Sequence, residues 1–155
     1  MLKQSAGIVL YRFNEDQWQV FLVHLGGPFW SRKDEGAWQI PKGEFTDEED
    51  ALTAAKREFF EETGFTIDGN FLPLSPLKQK DGKFVFAFAV KGTVDATAIR
   101  SNEFEMEWPP KSGKKKSFPE VDRASWFSID NARKKILQSQ LPLIDEVEKI
   151  AEEKK

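Results

Sequence analysis

The sequence of 155 residues contains no cysteine and a single histidine, His24. Without cysteine there can be no disulfide framework, no thiolate metal site and no cysteine nucleophile. A single histidine excludes a histidine-rich zinc site and any mechanism that needs two histidines. The chemistry of this protein must therefore come from carboxylates, hydroxyls and the cationic side chains of lysine and arginine.

Long apolar runs are also missing from the sequence. No stretch approaches the roughly 18 consecutive apolar residues of a transmembrane helix. Residues 1–10 lack the charged start and the small-residue cleavage site of a signal peptide. We therefore expect a cytoplasmic protein with no membrane partner. The formal net charge of -3 argues against non-specific nucleic-acid binding, which usually requires a strong basic excess.

The apolar content that is present is rich in aromatic residues. With 14 Phe, 5 Trp and a hydrophobic fraction of 39%, the chain has enough apolar surface to build a core, which excludes a disordered polar tail. Its length predicts a single domain over residues 1–155. Strand and helix patterns mix without a regular βαβ alternation, so we expect an α/β (α+β) fold with helices packed on a mixed sheet.

The predicted elements follow from local patterns. Runs of β-branched and aromatic residues predict strands at 5–13, 18–25, 38–40, 84–90 and 121–127. Helices are predicted at 46–63, 130–138 and 142–153, the last followed by a charged tail to residue 155. Thr46 or Asp47 is the expected N-cap of the first helix and Gly64 its C-terminal cap. Residues 96–117 are polar and rich in lysine and proline, which predicts a loop or insertion.

Three glutamates share one face of the first predicted helix. Glu58, Glu61 and Glu62 are spaced i, i+3 and i+4, which places them within an arc of about 100°. Like charges on one face repel, and a hard divalent cation such as Mg²⁺, which takes oxygen ligands, would relieve that repulsion. The alternative is a solvated acidic face balanced by Lys56 and Arg57.

The residues around this face decide between the two interpretations. The pattern G-x5-E-x7-R-E-U-x-E-E-x-G-U, with U apolar, is matched at every position by Gly43, Glu49, Arg57, Glu58, Phe59, Glu61, Glu62, Gly64 and Phe65. By average residue usage, a chance match at one starting point is on the order of one in a billion. This stretch resembles the signature of the Nudix hydrolase family. Similar stretches at 5–7, 38–42 and 120–127 extend the resemblance over most of residues 1–138.

The resemblance implies a fold and a set of site residues. The family fold is an α/β/α sandwich on a mixed β-sheet. Glu58, Glu61 and Glu62 would hold one or more Mg²⁺ or Mn²⁺ ions, with the carbonyl of Gly43. Catalysis would depend on Glu58 and Glu61, with Arg57 orienting the glutamates. Glu49 points away from the other three on the helical wheel, so we expect it to have a supporting role.

Further residues are candidates for catalysis and substrate contact. Glu120 matches a position where many family members place another metal ligand or the general base; the alternative is a surface carboxylate. Lys42 could contact a phosphate, and Arg32 and Lys33 could attract an anionic substrate. Nucleobase stacking is possible on four aromatic rings. These are Trp38, Phe29, Trp30 and Trp108. In each case the alternative is a solvated loop charge or ordinary aromatic packing.

The function implied by the resemblance is a Mg²⁺-dependent pyrophosphohydrolase acting on a nucleoside diphosphate linked to another group, a small-molecule nucleotide. Residues 38–44 and 120–127 are most similar to hydrolases of dinucleoside polyphosphates such as diadenosine tetraphosphate. Hydrolysis of nucleoside triphosphates or of capped RNA is an alternative, and an RNA 5′ end would then be the one nucleic acid bound. A catalytically inactive nucleotide sensor would usually lose glutamates of the signature. Isopentenyl diphosphate isomerases share the fold but use a cysteine.

Overall fold

A computed structural model describes residues 4–79 and 81–153 of the chain. Its strands are β1 Gln4–Asn14, β2 Gln17–Leu25, β3 Trp38–Gln39, β4 Lys42–Phe45, β5 Leu72–Pro73, β6 Leu77–Lys78, β7 Phe84–Lys91, β8 Glu103–Glu107, β9 Lys115–Pro119 and β10 Val121–Ser128. Its α-helices are α1 Ala51–Thr63, α2 Ile129–Lys135 and α3 Leu141–Glu153. Short 3-10 turns lie at Ala96–Ala98 and Gln138–Gln140.

The main sheet is mixed, as the sequence predicts. Its central strands run in the order β10-β2-β1-β7-β5, while β3 pairs with β2, β4 with β1 and β6 with β7. The pair of β1 with β7 is parallel, whereas β1 pairs antiparallel with β2 and with β4. Strand β1 therefore lies at the centre of the sheet and also pairs with the short strand β4, which precedes α1.

Helices cover both faces of this sheet. Alternate residues of β1 point to opposite sides. Ile8 and Leu10 belong to a cluster that contains Phe59 of α1, whereas Val9 belongs to a second cluster that contains Ile144 of α3. The arrangement is the α/β/α sandwich that the resemblance implies. In the part of the chain that the structure describes, no helix is long and apolar enough to cross a membrane.

The first helix begins later than predicted. Asp50 is its N-cap, because its carboxylate accepts hydrogen bonds from the Thr53 backbone N–H at 3.1 Å and from the Thr53 hydroxyl at 2.7 Å. Thr46 instead forms a turn, in which its carbonyl accepts from the backbone N–H of Glu49. The predicted caps Thr46 and Asp47 are therefore wrong. Gly64 is the C-terminal cap, with a φ of 80° that suits glycine.

The predicted loop at 96–117 is also wrong in part. Strands β8 and β9 form an antiparallel hairpin, separate from the main sheet, that brings Phe104 opposite Phe118. Along β8 the glutamates are exposed and the apolar residues between them are partly covered, which is the period of two expected of a strand. The predicted charged tail ends in residues 154–155, which lie outside the described residues.

Candidate active site

Three backbone connections bring the end of α1 and the start of β10 together. The N–H of Arg100 donates to the carbonyl of Thr63, and the N–H of Asn102 donates to the carbonyl of Glu61. The N–H of Glu120 in turn donates to the carbonyl of Asn102 at 2.9 Å. Because Asn102 is hydrogen-bonded to both Glu61 and Glu120, Glu120 lies at the same end of the molecule as the glutamates of α1.

Gly43 and Glu58 approach each other closely in this region. A Cβ built on Gly43 would lie 2.1 Å from the carboxyl carbon of Glu58, so only glycine leaves space for this carboxylate. Glu58 is buried. Burial and the neighbouring charge of Glu61 raise the pKa of Glu58 to about 7. The raised pKa indicates that a negative charge at this position lacks sufficient compensation from the protein.

Glu62 is the most deeply buried carboxylate of the group. It is 2% exposed, and its Oε2 atom has no hydrogen-bond partner. Burial raises the pKa of Glu62 well above its usual value, and the charges of Glu58 and Glu120 raise it further. The charge of Lys42 opposes this shift. A buried carboxylate oxygen without a partner is costly, and a bound cation would supply one.

The guanidinium of Arg57 connects three carboxylates. Its Nη2 and Nε atoms donate to the two oxygens of Glu49 at 2.5 and 3.2 Å. Its Nη1 atom donates to Glu58 and to Glu61, each at 3.1 Å. The hydrogen bond with Glu49 raises the pKa of Arg57, so the group stays cationic. Arg57 therefore sets the positions of Glu58 and Glu61, and Glu49 fixes Arg57.

The helical wheel placed Glu49 away from the other glutamates, but Glu49 is not helical. It precedes the N-cap, Asp50, and reaches Arg57 from the turn before α1. The sequence could not show this, because the position of Glu49 depends on where the helix begins. Glu49 contacts Arg57, which in turn contacts Glu58 and Glu61.

The donor atoms fit a hard divalent cation. Within residues 4–79 and 81–153, no three acidic or histidine side chains converge on one point as a complete set of metal ligands would. Mg²⁺ does not need such a cage, since it keeps several water ligands and shares positions with substrate phosphates. The partnerless oxygen of Glu62 and the carboxylate of Glu58 seated on Gly43 are the oxygen donors that such an ion prefers.

Lys42 is a second cation that lies near these carboxylates. It precedes Gly43 on β4 and is paired with Gly7 of β1. Burial lowers the pKa of Lys42, and the charge of Glu62 works in the opposite direction. Of the four residues predicted to contact substrate, Lys42 is the one that the structure places beside the glutamates.

Of the other three predicted contacts, Trp38 is enclosed by other side chains, whereas Arg32 and Lys33 lie at the surface. Trp38 is 5% exposed, with its ring 5.0 Å from that of His24 and 4.9 Å from that of Phe127, so neither of its faces is open to a base. Its indole N–H donates to Asp34 at 3.0 Å. Arg32 and Lys33 are exposed in the segment after β2. Among the described residues, neither forms an ion pair with a carboxylate.

A pair of aromatic rings lies at the end of the β8–β9 hairpin that is farther from Glu120. Phe29 is 61% exposed, and its ring lies edge-to-face with that of Trp108 at 5.7 Å. Phe29 lies in the segment that begins at Gly26, whose N–H donates to the carbonyl of Glu120 at 2.9 Å. Trp108 follows β8 at the turn of the hairpin, whereas Glu120 follows β9 at the opposite end, where Glu103 pairs with Pro119. The sequence suggested these rings only singly, because nothing in their spacing connects residues of different elements.

Comparison with known families gives one match that covers almost the whole chain. Residues 1–147 match the model of the NUDIX domain. No curated protein sequence gives a significant match.

Solved structures share the fold at low sequence identity. The NUDIX domain of NrtR from Shewanella oneidensis, crystallised with ADP ribose, is 17% identical, with a TM-score of 0.68 over 97% of this chain and 89% of that one. An Ap4A hydrolase from C. elegans is 19% identical, with a TM-score of 0.67 over 95% and 97% of the two chains. A mutT/nudix protein from Listeria innocua is 16% identical, with a TM-score of 0.65 over 98% and 95%.

Proposed function

The chain belongs to the Nudix family, and on that premise we propose that this pyrophosphohydrolase acts on dinucleoside polyphosphates, with diadenosine tetraphosphate as its best substrate. The observation that carries the proposal is that the hairpin β8–β9 connects two features, the carboxylates near Glu120 at one of its ends and the ring pair of Phe29 and Trp108 at the other. Buried carboxylates and Lys42 suit a metal-bound phosphate chain. The exposed ring of Phe29, next to Trp108, suits a nucleobase at one end of that chain.

The glutamates of α1 are the proposed metal ligands. Glu58, Glu61 and Glu62, with the carbonyl oxygen of Gly43, would hold one or more Mg²⁺ or Mn²⁺ ions. A bound ion supplies charge neutralisation of the pyrophosphate and activation of a water molecule. The raised pKa values of Glu58 and Glu62 support this assignment, because both indicate negative charge that the protein leaves uncompensated.

Three further residues would orient the metal ligands, bind a phosphate and accept a proton. Arg57 holds Glu58 and Glu61 through its Nη1 atom, so the carboxylates are oriented before substrate binds. Lys42 places a positive charge beside the carboxylates, where it can bind a phosphate oxygen. Glu120 is a candidate for accepting the proton of the attacking water, because burial raises its pKa towards neutrality, as does the charge of Glu61.

The preference for a long phosphate chain follows from charge. A chain of four phosphates would offer charges to the metal ligands and to Lys42 at once. A substrate with two phosphates offers fewer charges to these groups. We expect kcat/KM to favour diadenosine tetraphosphate over ADP-ribose by about tenfold or more, which corresponds to about 1.4 kcal/mol of transition-state binding.

A second candidate substrate is ADP-ribose, because the NUDIX domain of NrtR was crystallised with that ligand. A panel of substrates separates the two: diadenosine tetraphosphate, ADP-ribose, a nucleoside triphosphate and capped RNA, each with Mg²⁺ and with Mn²⁺. Faster turnover of ADP-ribose would overturn the proposed substrate. Binding of a nucleotide without any turnover would instead indicate a sensor. Lys42→Ala should narrow the difference between the two leading substrates, because it weakens the longer one more.

A further inference from the structure

His24 has a polar environment that a core position does not require. The side chain is fully buried in β2. Its Nδ1 atom lies 2.8 Å from Oδ1 of Asp122, and its Nε2 atom lies 2.6 Å from the backbone carbonyl of Lys33. A carbonyl accepts only, so Nε2 carries a hydrogen. The ring thus connects two segments that are far apart in sequence: the start of β10 and the segment 26–36 that follows β2.

Asp122 reaches His24 because β10 is bulged at that residue. Val121 pairs with Leu25 and Arg123 pairs with His24, so Asp122 is an extra residue opposite one step of β2. A bulge redirects the side chain of the residue that it inserts. Here it turns the carboxylate of Asp122 onto the buried imidazole. Glu120 lies two residues before this bulge, at the point where the chain enters β10.

The segment 26–36 is attached to Glu120 at its other end. The N–H of Gly26 donates to the carbonyl of Glu120 at 2.9 Å. A Cβ on Gly26 would lie 1.9 Å from the carbonyl oxygen of Pro119, so the two backbones are in direct contact. The segment is therefore attached at two points: Lys33 is bound to the side chain of His24, and Gly26 is bound to the backbone of Glu120.

Trp38 packs against the ring of His24 and is itself held by Asp34. The ring of Trp38 lies edge-to-face with that of His24 at 5.0 Å, and its indole N–H is held by Asp34, a further residue of the same segment. Asp34 also pairs with Lys135 at the end of α2. The imidazole thus has little freedom to turn, and its two polar contacts are fixed relative to each other.

We infer that His24 and Asp122 are positioning residues for the active site: together they hold the bulge that sets Glu120 and the segment that presents Phe29. The inference rests on the proposed function, in which Glu120 and Phe29 contact substrate or the attacking water. A buried polar pair is seldom required for stability, and apolar residues of similar volume often replace one without loss. The contribution of this pair is to geometry, and a small displacement of a catalytic group is enough to slow a reaction.

Limited proteolysis tests the inference without any need for activity. Arg32 and Lys33 are trypsin sites within the segment itself. We expect His24→Phe, which keeps a ring against Trp38 but removes both polar contacts, and Asp122→Ala to speed cleavage after these residues by about fivefold or more. Cleavage within α1 at Lys56 should stay as slow as in the wild type, because it reports global unfolding. Asp130→Ala is the matched control, an acidic residue that is 92% exposed on α2.

The conservative variant Asp122→Asn separates positioning from packing. Its amide can still pair with the imidazole, so cleavage at Arg32 and Lys33 should return close to the wild-type rate. Against diadenosine tetraphosphate, His24→Phe and Asp122→Ala should lower kcat/KM by about tenfold or more, and Asp122→Asn should recover most of it. Unchanged cleavage at Arg32 and Lys33 in both disruptive variants overturns the inference. An inactive wild type would instead overturn the proposed function, and the proteolysis result would stand independently.

Discussion

The carboxylate of Glu58 rests on the backbone of Gly43, with no space between them for a methyl group. This contact connects the short strand β4 to the middle of α1. The contact explains why residue 43 is glycine although its backbone angles do not require one. The side chain of Glu58 occupies the volume that a Cβ at residue 43 would fill. Gly43 therefore contributes to the site because it has no side chain, which leaves space for the Glu58 carboxylate.

Replacing Gly43 with alanine should displace Glu58. The new Cβ would stand 2.1 Å from the carboxyl carbon, so the carboxylate must move and lose its place beside Arg57. We expect Gly43→Ala to lower kcat by about a hundredfold, the scale of losing a catalytic metal ligand, in a steady-state assay with diadenosine tetraphosphate. Gly92→Ala is the control, since its Cβ would meet only Leu10 Cδ1 at 3.3 Å. Equal activity of the two variants would contradict a role for the Gly43–Glu58 contact.

Glu62→Gln should preserve the fold while removing most of the activity. Glutamine has nearly the same shape and carries no charge, so the cost of a buried carboxylate without a partner disappears. We expect the melting temperature without metal to stay equal or rise, and kcat to fall by at least about a hundredfold. Near-wild-type turnover at saturating Mg²⁺ would remove Glu62 from the site.

Divalent metal should stabilise the wild-type protein against heat. The ion binds the native arrangement of Glu58, Glu61 and Glu62 and not the unfolded chain, so at about 100 times its Kd it adds about 2.7 kcal/mol to the free energy of unfolding. Thermal melts in Mg²⁺, in Mn²⁺ and in chelator measure the shift. Glu62→Gln provides the control, because its shift should be much smaller. Identical melting temperatures of the wild type in metal and in chelator would count against these glutamates as ligands.

Glu120→Gln tests the assignment of a proton acceptor outside the helix. An amide cannot accept the proton of the attacking water, so we expect kcat to fall by about a hundredfold or more while KM changes little. The stabilisation by Mg²⁺ should remain, because the ligands on α1 are untouched. Loss of that stabilisation in Glu120→Gln would show that Glu120 holds the metal.

Phe29→Ala tests the aromatic pair as a nucleobase site. Stacking contributes about 1–3 kcal/mol per base, so KM for diadenosine tetraphosphate should rise about tenfold or more. Inhibition by inorganic tetraphosphate, which has no base, should not change. Phe13→Ala is a matched control, because Phe13 is 50% exposed and lies edge-to-face with Trp18 at 5.1 Å. A KM change shared by both variants would show that Phe29 has no specific contact with the base.

Local patterns were sufficient to predict much of the fold. The long strands β1, β2, β7 and β10 follow from apolar runs, and Gly64 identifies the end of α1. The start of α1 did not follow, because Thr46, Asp47 and Asp50 are equally good caps by residue type. What decides among them is the partner: the Thr53 N–H and hydroxyl are both within reach of Asp50.

Prediction of the site was limited by distance along the chain. Glu58, Glu61 and Glu62 share a helix, so their spacing alone shows that they lie together. Trp38 was expected to contact substrate, but burial is a property of the folded chain, and the rings of His24 and Phe127 cover it. The contact of His24 with Asp122 joins residues 98 positions apart, and no local pattern identifies such a pair.

The parallel pairing of β1 with β7 has a consequence for how the molecule forms. Residues Gln4–Tyr11 pair with Phe84–Lys91, so the centre of the sheet stays open until the chain is complete to residue 91. Contacts between residues so distant in sequence slow folding. Until they form, α1 can pack on β1, β2 and β4, but one edge of β1 has no partner strand. A nascent chain halted between α1 and β7 would thus expose a long apolar strand edge at the centre of the future sheet, which makes that interval prone to aggregation.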